Sequence, residues 1–261
     1  MQKNKLFFEL LKNKIVNQKN FLKKNKQISS ISFNNLKLAR KFYNSLPADL
    51  NIKIAFVHGS TAKGTAGTSL SCIRKIYYIK TKFVAYEFYL DKTKKSDIDI
   101  IFIMDEMKED KIDTIKLALK NLFKNVPVTL NIIDFKEANK VISDSSNPQA
   151  LRRVILFNPV ICLYGKKEFN KLKYLARVNK TNIDKQYEIE YRTMKTIPEL
   201  MKKYHMDKII FSAEEFKKIF PLLHDECCGK IYGDFPIYRI KIKIPPIEQK
   251  EIVRLSKINK F

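Results

Sequence analysis

The chain has 261 residues, of which 45% are hydrophobic and only 6 are Gly and 9 Pro. That is enough for one sizeable core plus a smaller second unit, and it excludes a low-complexity chain. Against 27 Asp and Glu stand 51 Lys and Arg, a formal net charge of +24, which favours polyanionic partners such as RNA, DNA, nucleotides or an anionic surface; Lys and Asn crowd the whole chain, and background composition accounts for the same excess equally well.

Residues 5–17, KLFFELLKNKIVN, place Leu6, Phe7, Leu10, Leu11 and Ile15 on one face of a helix. Residues 1–30 hold 8 Lys against one Glu, so that helix is expected to pack its apolar side and solvate its basic side. Its apolar patch is too short for a signal-peptide core, and nowhere does an apolar run reach membrane-spanning length. Residues 32–47 read as a helix with Ser32 as a possible N-cap, an apolar stripe of Leu36, Ala39 and Phe42, and Pro47 as its stop. The run IKIAFVHGS (52–60) is a short apolar strand, and DIDIIFIM (97–104) is a second. An amphipathic helix follows over 111–125, with Ile112, Ile115, Leu119 and Leu122 in phase, and then a third strand over 126–135. This order predicts an α+β, α/β-like core with neighbouring strands in one sheet. Residues 136–165 read as helix, polar turn, helix and closing strand, with a domain boundary after Gly165. The domains expected are 1–165, and a smaller, mixed C-terminal accessory region over 166–261. Within the latter, PIYRIKIKIPP (236–246) alternates like a surface strand.

The four Cys at 72, 162, 227 and 228 form no C-x-x-C pair, and the three His (58, 205, 224) have no metal-ligand spacing to them. A disulfide framework and a zinc site are therefore not expected, and a cytoplasmic location fits best.

Asp97 and Asp99 sit at i and i+2 of the second strand, so both side chains leave one face, roughly 6–7 Å apart. Apolar neighbours at Ile98, Ile100, Ile101 and Ile103 make two carboxylates costly there unless cations sit between them. Magnesium is the natural partner, because it takes hard oxygen ligands and completes its shell with water and phosphate oxygens. Upstream, Gly59 lets a phosphate approach the backbone, Ser60 offers a hydroxyl and a helix cap, and Lys63 adds a point charge. An ordinary strand-to-helix turn uses the same residue types, and no Walker A loop is present. Phosphates on the first turn and metal on the next strand describe a nucleotidyl-transfer site.

GSTAKGT followed by SDIDIIFIM resembles the nucleotidyltransferase superfamily that includes DNA polymerase beta, tRNA CCA-adding enzymes, aminoglycoside nucleotidyltransferases and the small MNT antitoxins. The resemblance covers about 30–165 and extends to NPVICLYG (158–165), which looks like the closing segment of small prokaryotic members. It implies a polymerase-beta-type core with a short mixed sheet flanked by helices, ATP or another NTP as substrate, and two Mg²⁺ ions. It implies that Gly59 and Ser60 hold nucleotide phosphates, and that Asp97 and Asp99 hold the two metals. Two departures stand out. Gly59 and Asp97 lie 38 positions apart, where the family's turn is short. Residues 72–96 therefore read as an insertion, a β-hairpin with 7 Lys/Arg against 2 acids. The hairpin is either a nucleic-acid flap that offers Tyr77, Tyr78 and Tyr86 for stacking, or a hairpin packed on the sheet or in a dimer contact. The second departure is the family's third carboxylate. The third strand shows Thr129 and Asn131 where an acid would fall, and Asp134 is the candidate, at the strand's end. Alternation puts Asp134 on the face of Val128, Leu130 and Ile132 unless a bulge intervenes.

The function expected is Mg²⁺-dependent transfer of an NMP from an NTP to a hydroxyl of RNA, tRNA among the candidates, or of a protein, with no membrane partner. The alternative is an antitoxin-like binding module of the same fold with feeble or no catalysis. An aminoglycoside-type small-molecule enzyme is a third reading, and the +24 charge suits a cationic substrate poorly.

Overall fold

A computed structural model describes residues 29–67, 70–78, 83–91, 96–144, 150–227 and 238–242. The expected helix over 5–17 lies outside the described residues. The chain divides into two compact units, each assembled from separated stretches of sequence.

The larger unit takes its described residues from within Ile28–Ser69, Thr93–Lys180 and Asp234–Phe261. Its elements are α1 (Ser30–Asn44), β1 (Ile52–His58), α2 (Gly59–Lys63), β4 (Ile98–Met104), α3 (Glu109–Leu122), β5 (Val128–Asp134), α4 (Phe135–Ser143), α5 (Ala150–Phe157), β6 (Ile161–Tyr164), α6 (Lys166–Val178) and β8 (Tyr238–Ile242). The five strands form a mixed sheet in the order β6-β1-β4-β5-β8. Only β4 and β5 run parallel; the other neighbours are antiparallel.

Both faces of this sheet are covered, which is why β4 reads as a nearly unbroken apolar run. On one face Ile98, Ile100, Phe102 and Met104 of β4 join Val128, Leu130 and Ile132 of β5 under α1 and α3. Phe42 of α1 stacks on Phe102 at 5.7 Å. On the other face Ile101, Ile103, Ile54, Phe56 and Ile133 pack under residues of α4, α5 and α6. The expected α+β architecture, with a mixed sheet between helices, is therefore present.

The smaller unit takes its described residues from within Leu70–Lys92 and Thr181–Gly233. Its antiparallel sheet has the order β2 (Leu70–Tyr78), β3 (Phe83–Asp91), β7 (Lys208–Ser212). Helices α7 (Asn182–Lys203), α8 (Ala213–Ile219) and α9 (Pro221–Cys227) complete it. Its core holds Tyr86, Phe88, Ile197, Met201, Phe211, Phe216 and Phe220.

One expectation is corrected here, and the alternatives for the hairpin are narrowed. The boundary after Gly165 does not hold: α6 packs Phe169 against Phe56 of β1 at 5.2 Å, and the larger unit runs on to Lys180. The segment 72–96 does contain a hairpin, but its β3 edge is taken by β7, through pairs Ala85↔Ser212 to Tyr89↔Lys208. Tyr86 is 1% exposed and stacks on Phe216 at 4.1 Å, so it is a core residue and not a platform for bases.

Candidate functional site

The site grows from the end of β1. His58 closes the strand, and Gly59 turns the chain into the five-residue helix α2. Gly59 has φ +71°, and a Cβ placed there would lie 2.5 Å from Asp99 Oδ2. Two separate reasons thus demand glycine: left-handed backbone and a carboxylate pressed against the main chain. Gly64, also left-handed at φ 82°, closes α2.

The loop after α2 is fastened to the start of α1. The Ser29 N–H donates to the Gly64 carbonyl at 3.0 Å, the Ala66 N–H donates to Ser32 Oγ at 2.9 Å, and the Ser29 hydroxyl donates to the Ala66 carbonyl at 2.8 Å. Asn35 Nδ2 donates to the Thr61 hydroxyl at 3.2 Å. Next, Gly67 and Ser96 clasp each other. The Gly67 N–H donates to Ser96 Oγ at 3.0 Å, and the Ser96 N–H donates to the Gly67 carbonyl at 2.9 Å. The two ends of the hairpin excursion therefore meet at its base. That closure delivers Asp97 beside the α2 turn despite the long separation in sequence.

The register of the sheet then sets out one transverse line. His58 pairs with Asp99, Asp99 pairs with Thr129, and Thr129 pairs with Lys241 of β8. Neighbours on such a line share a sheet face; for His58, Asp99 and Thr129 it is the face of Phe56 and Ile101, where apolar packing gives way to polar residues. The Thr129 hydroxyl donates to Asp97 Oδ2 at 3.0 Å, which orients that carboxylate.

Nε2 of His58 is buried and has no hydrogen-bond partner in the protein. Burial holds its pKa down to about 4, and the nearby negative charge of Asp97 only partly opposes this. The imidazole is therefore neutral at pH 7. A buried polar atom without a partner is costly unless something occupies the space it faces.

The structure thus brings Gly59, Asp97 and Asp99 together, with Ser60 on the first turn of α2 and Lys63 exposed at its last residue. Asp134 is not part of this group. It pairs with Met104, five residues along β5 from Thr129, or about 16 Å at the rise of a strand. Its position alternates with that of Asp99, on the face of Leu130 and Ile132. Its carboxylate caps α4, accepting from the N–H groups of Lys136 (2.8 Å) and Glu137 (3.2 Å). No bulge intervenes, so the position beside Asp99 belongs to Thr129. Sequence reasoning assigned no role to His58; its only signal was a polar residue closing an apolar strand before Gly-Ser.

Among the described residues no three His, Cys, Asp or Glu side chains converge as a closed metal cage. Two carboxylates do fit a magnesium ion that takes its other ligands from water and phosphate oxygens. The all-oxygen donor set is what such an ion requires.

Comparison with family models, with curated proteins and with solved structures gives no match to this chain. Among the described residues no helix is long and apolar enough to cross a membrane.

Proposed function

We propose that the protein is a Mg²⁺-dependent nucleotidyltransferase. It would transfer an NMP from an NTP, with ATP as the expected donor, to a hydroxyl of RNA or of a protein. One observation carries the reading: Asp99 lies directly against the Gly59 turn, and Asp97, two residues earlier at the same sheet end, is oriented by Thr129. Asp97 and Asp99 would hold the metal, with Thr129 fixing the orientation of Asp97. Magnesium, when bound, supplies charge to neutralise the phosphates and the pyrophosphate leaving group. Gly59 admits the phosphates to the backbone, and Ser60 offers them a hydroxyl. The acceptor oxygen forms a bond to the α-phosphorus, the bond from that phosphorus to pyrophosphate breaks, and the acceptor proton leaves to solvent.

A second reading has its own support. Thr129 stands beside Asp99 and Asp134 lies at the far end of β5, so among the described residues the site has two carboxylates and no third. A fold of this kind that binds nucleotide without turning it over is the alternative, an antitoxin-like binding module.

Transfer of label from each of four α-³²P-NTPs, with Mg²⁺, to total RNA and to protein separates the two. Label that the Asp97→Ala/Asp99→Ala variant abolishes supports the enzyme and names its acceptor. No label from folded protein that still binds NTP supports the binding module.

A further inference from the structure

Helix α6 carries a net charge of +4, against +3 for α1 and +2 for α5 of the same unit. Its 13 residues hold Lys166, Lys167, Lys171, Lys173 and Arg177 against a single acid, Glu168. The lysine-rich background of the chain does not produce this uniformly. Helix α3 of the same unit balances Lys111, Lys116 and Lys120 with Glu109, Asp110 and Asp113. Phe169, Leu172 and Ala176 bury the inner side of α6. Lys167, Lys171, Tyr174 and Arg177 are exposed and fall on the opposite side at helical spacing. Tyr174 is 67% exposed and Val178, one turn on, is 63% exposed. An aromatic ring standing open among cations is the combination that holds an unpaired nucleic-acid strand, with phosphates on the cations and a base on the ring.

The helix also has a useful direction. It starts at Gly165, which packs against the backbone of Lys53 and Ile54. It then runs back so that Phe169 lies on Phe56, two residues before His58. A strand lying along α6 is thereby led from the Lys53 end of the sheet toward the His58 end.

We infer that the outer face of α6, through Lys167, Lys171, Tyr174 and Arg177, binds single-stranded RNA. Only the role of that RNA as acceptor rests on the transfer reading above; the binding does not.

The test is fluorescence anisotropy of the full chain with a labelled mixed-sequence single-stranded RNA, without NTP, over a range of salt. The wild type is expected to bind, with log K falling linearly as log salt rises. Replacing Lys167, Lys171 and Arg177 by Gln should weaken binding about ten-fold or more at low salt and flatten the slope by about 2, at about 0.7 per phosphate contact on a single strand. Tyr174→Ala should weaken binding about five-fold or more with the slope unchanged, because stacking releases no counterions. Replacing Lys116, Lys120 and Lys124 by Gln removes the same charge elsewhere and should have a much smaller effect. Thermal melts establish that each variant is folded. Wild-type affinity in the α6 triple variant overturns the inference, as does an equal loss in the control triple variant. It is overturned too if the wild type ignores RNA and binds phosphatidylcholine–phosphatidylserine vesicles instead. RNA held along α6 by a chain that transfers no label would sink the catalytic reading and leave this surface standing.

Discussion

Gly59 is the residue on which the site geometry turns. Alanine there would place a Cβ in a left-handed backbone and 2.5 Å from the Asp99 carboxylate. The backbone strain alone is about 1–2 kcal/mol, and the clash displaces a proposed metal ligand. Gly59→Ala is expected to lower the melting temperature and to abolish the further rise expected of the wild type with Mg²⁺ and ATP. A variant that is destabilised yet keeps the full ligand-induced rise would show that Asp99 need not sit against this turn. His58 yields a pH dependence. Its folded pKa of about 4 lies below the ordinary 6.5. Below pH 6.5 the unfolded chain therefore binds a proton that the folded chain refuses, and stability falls as pH drops toward 4. The steepest loss is about 1.4 kcal/mol per pH unit. Urea unfolding in EDTA at pH 7, 6 and 5 should show His58→Asn losing less than the wild type over that range; parallel losses would mean that the ring is solvated. The composition of this group was legible in part. Gly-Ser and the Asp-x-Asp strand were visible as residues, whereas the exclusion of Asp134 needed the register of β5, since a strand pattern does not say which neighbour faces which.

Among the elements, α9 shows how a buried charge is accommodated. Glu190 of α7 is fully buried. Its carboxylate accepts from the N–H groups of Leu222 (3.2 Å) and Leu223 (3.0 Å) at the start of α9, and from Gln186 Nε2 at 3.1 Å. These are amides that a helix leaves without intrahelical partners, and the helix dipole favours a negative charge there. Glu190→Ala strands them, so a loss of about 1–3 kcal/mol is expected, read as an earlier urea midpoint. An unchanged midpoint would mean that water replaces the carboxylate. Nothing in the sequence pointed to this pair, because its members lie 32 and 33 positions apart. The helices and strands themselves were largely readable, since periods of 3.6 and 2 are local properties. β8 was readable as a strand too, but its place at the edge of the sheet beside β5 was not.

At the scale of the whole molecule, both units are interleaved along the chain. The hairpin of β2 and β3 leaves the larger unit through the Gly67–Ser96 clasp and finds its third strand in β7. Helix α6 and strand β8 return to the larger unit from beyond Gly165. A fragment cut at 165 therefore loses the cover over Phe56, the β8 partner of β5 and the β7 partner of β3. It is expected to be insoluble or to melt without a cooperative transition; a soluble fragment with a sharp melt would restore the boundary after Gly165. What the sequence determined by itself was local: which stretches form helices or strands, and which residues offer carboxylates, glycine and charge. Those follow from side-chain period and chemistry within a dozen residues. The tertiary structure alone decided that Asp99 lies beside Thr129 and not Asp134, that Tyr86 is core, and that the hairpin belongs with 181–227. Each depends on pairing between distant segments, selected by the burial of whole faces, and no local pattern encodes that choice.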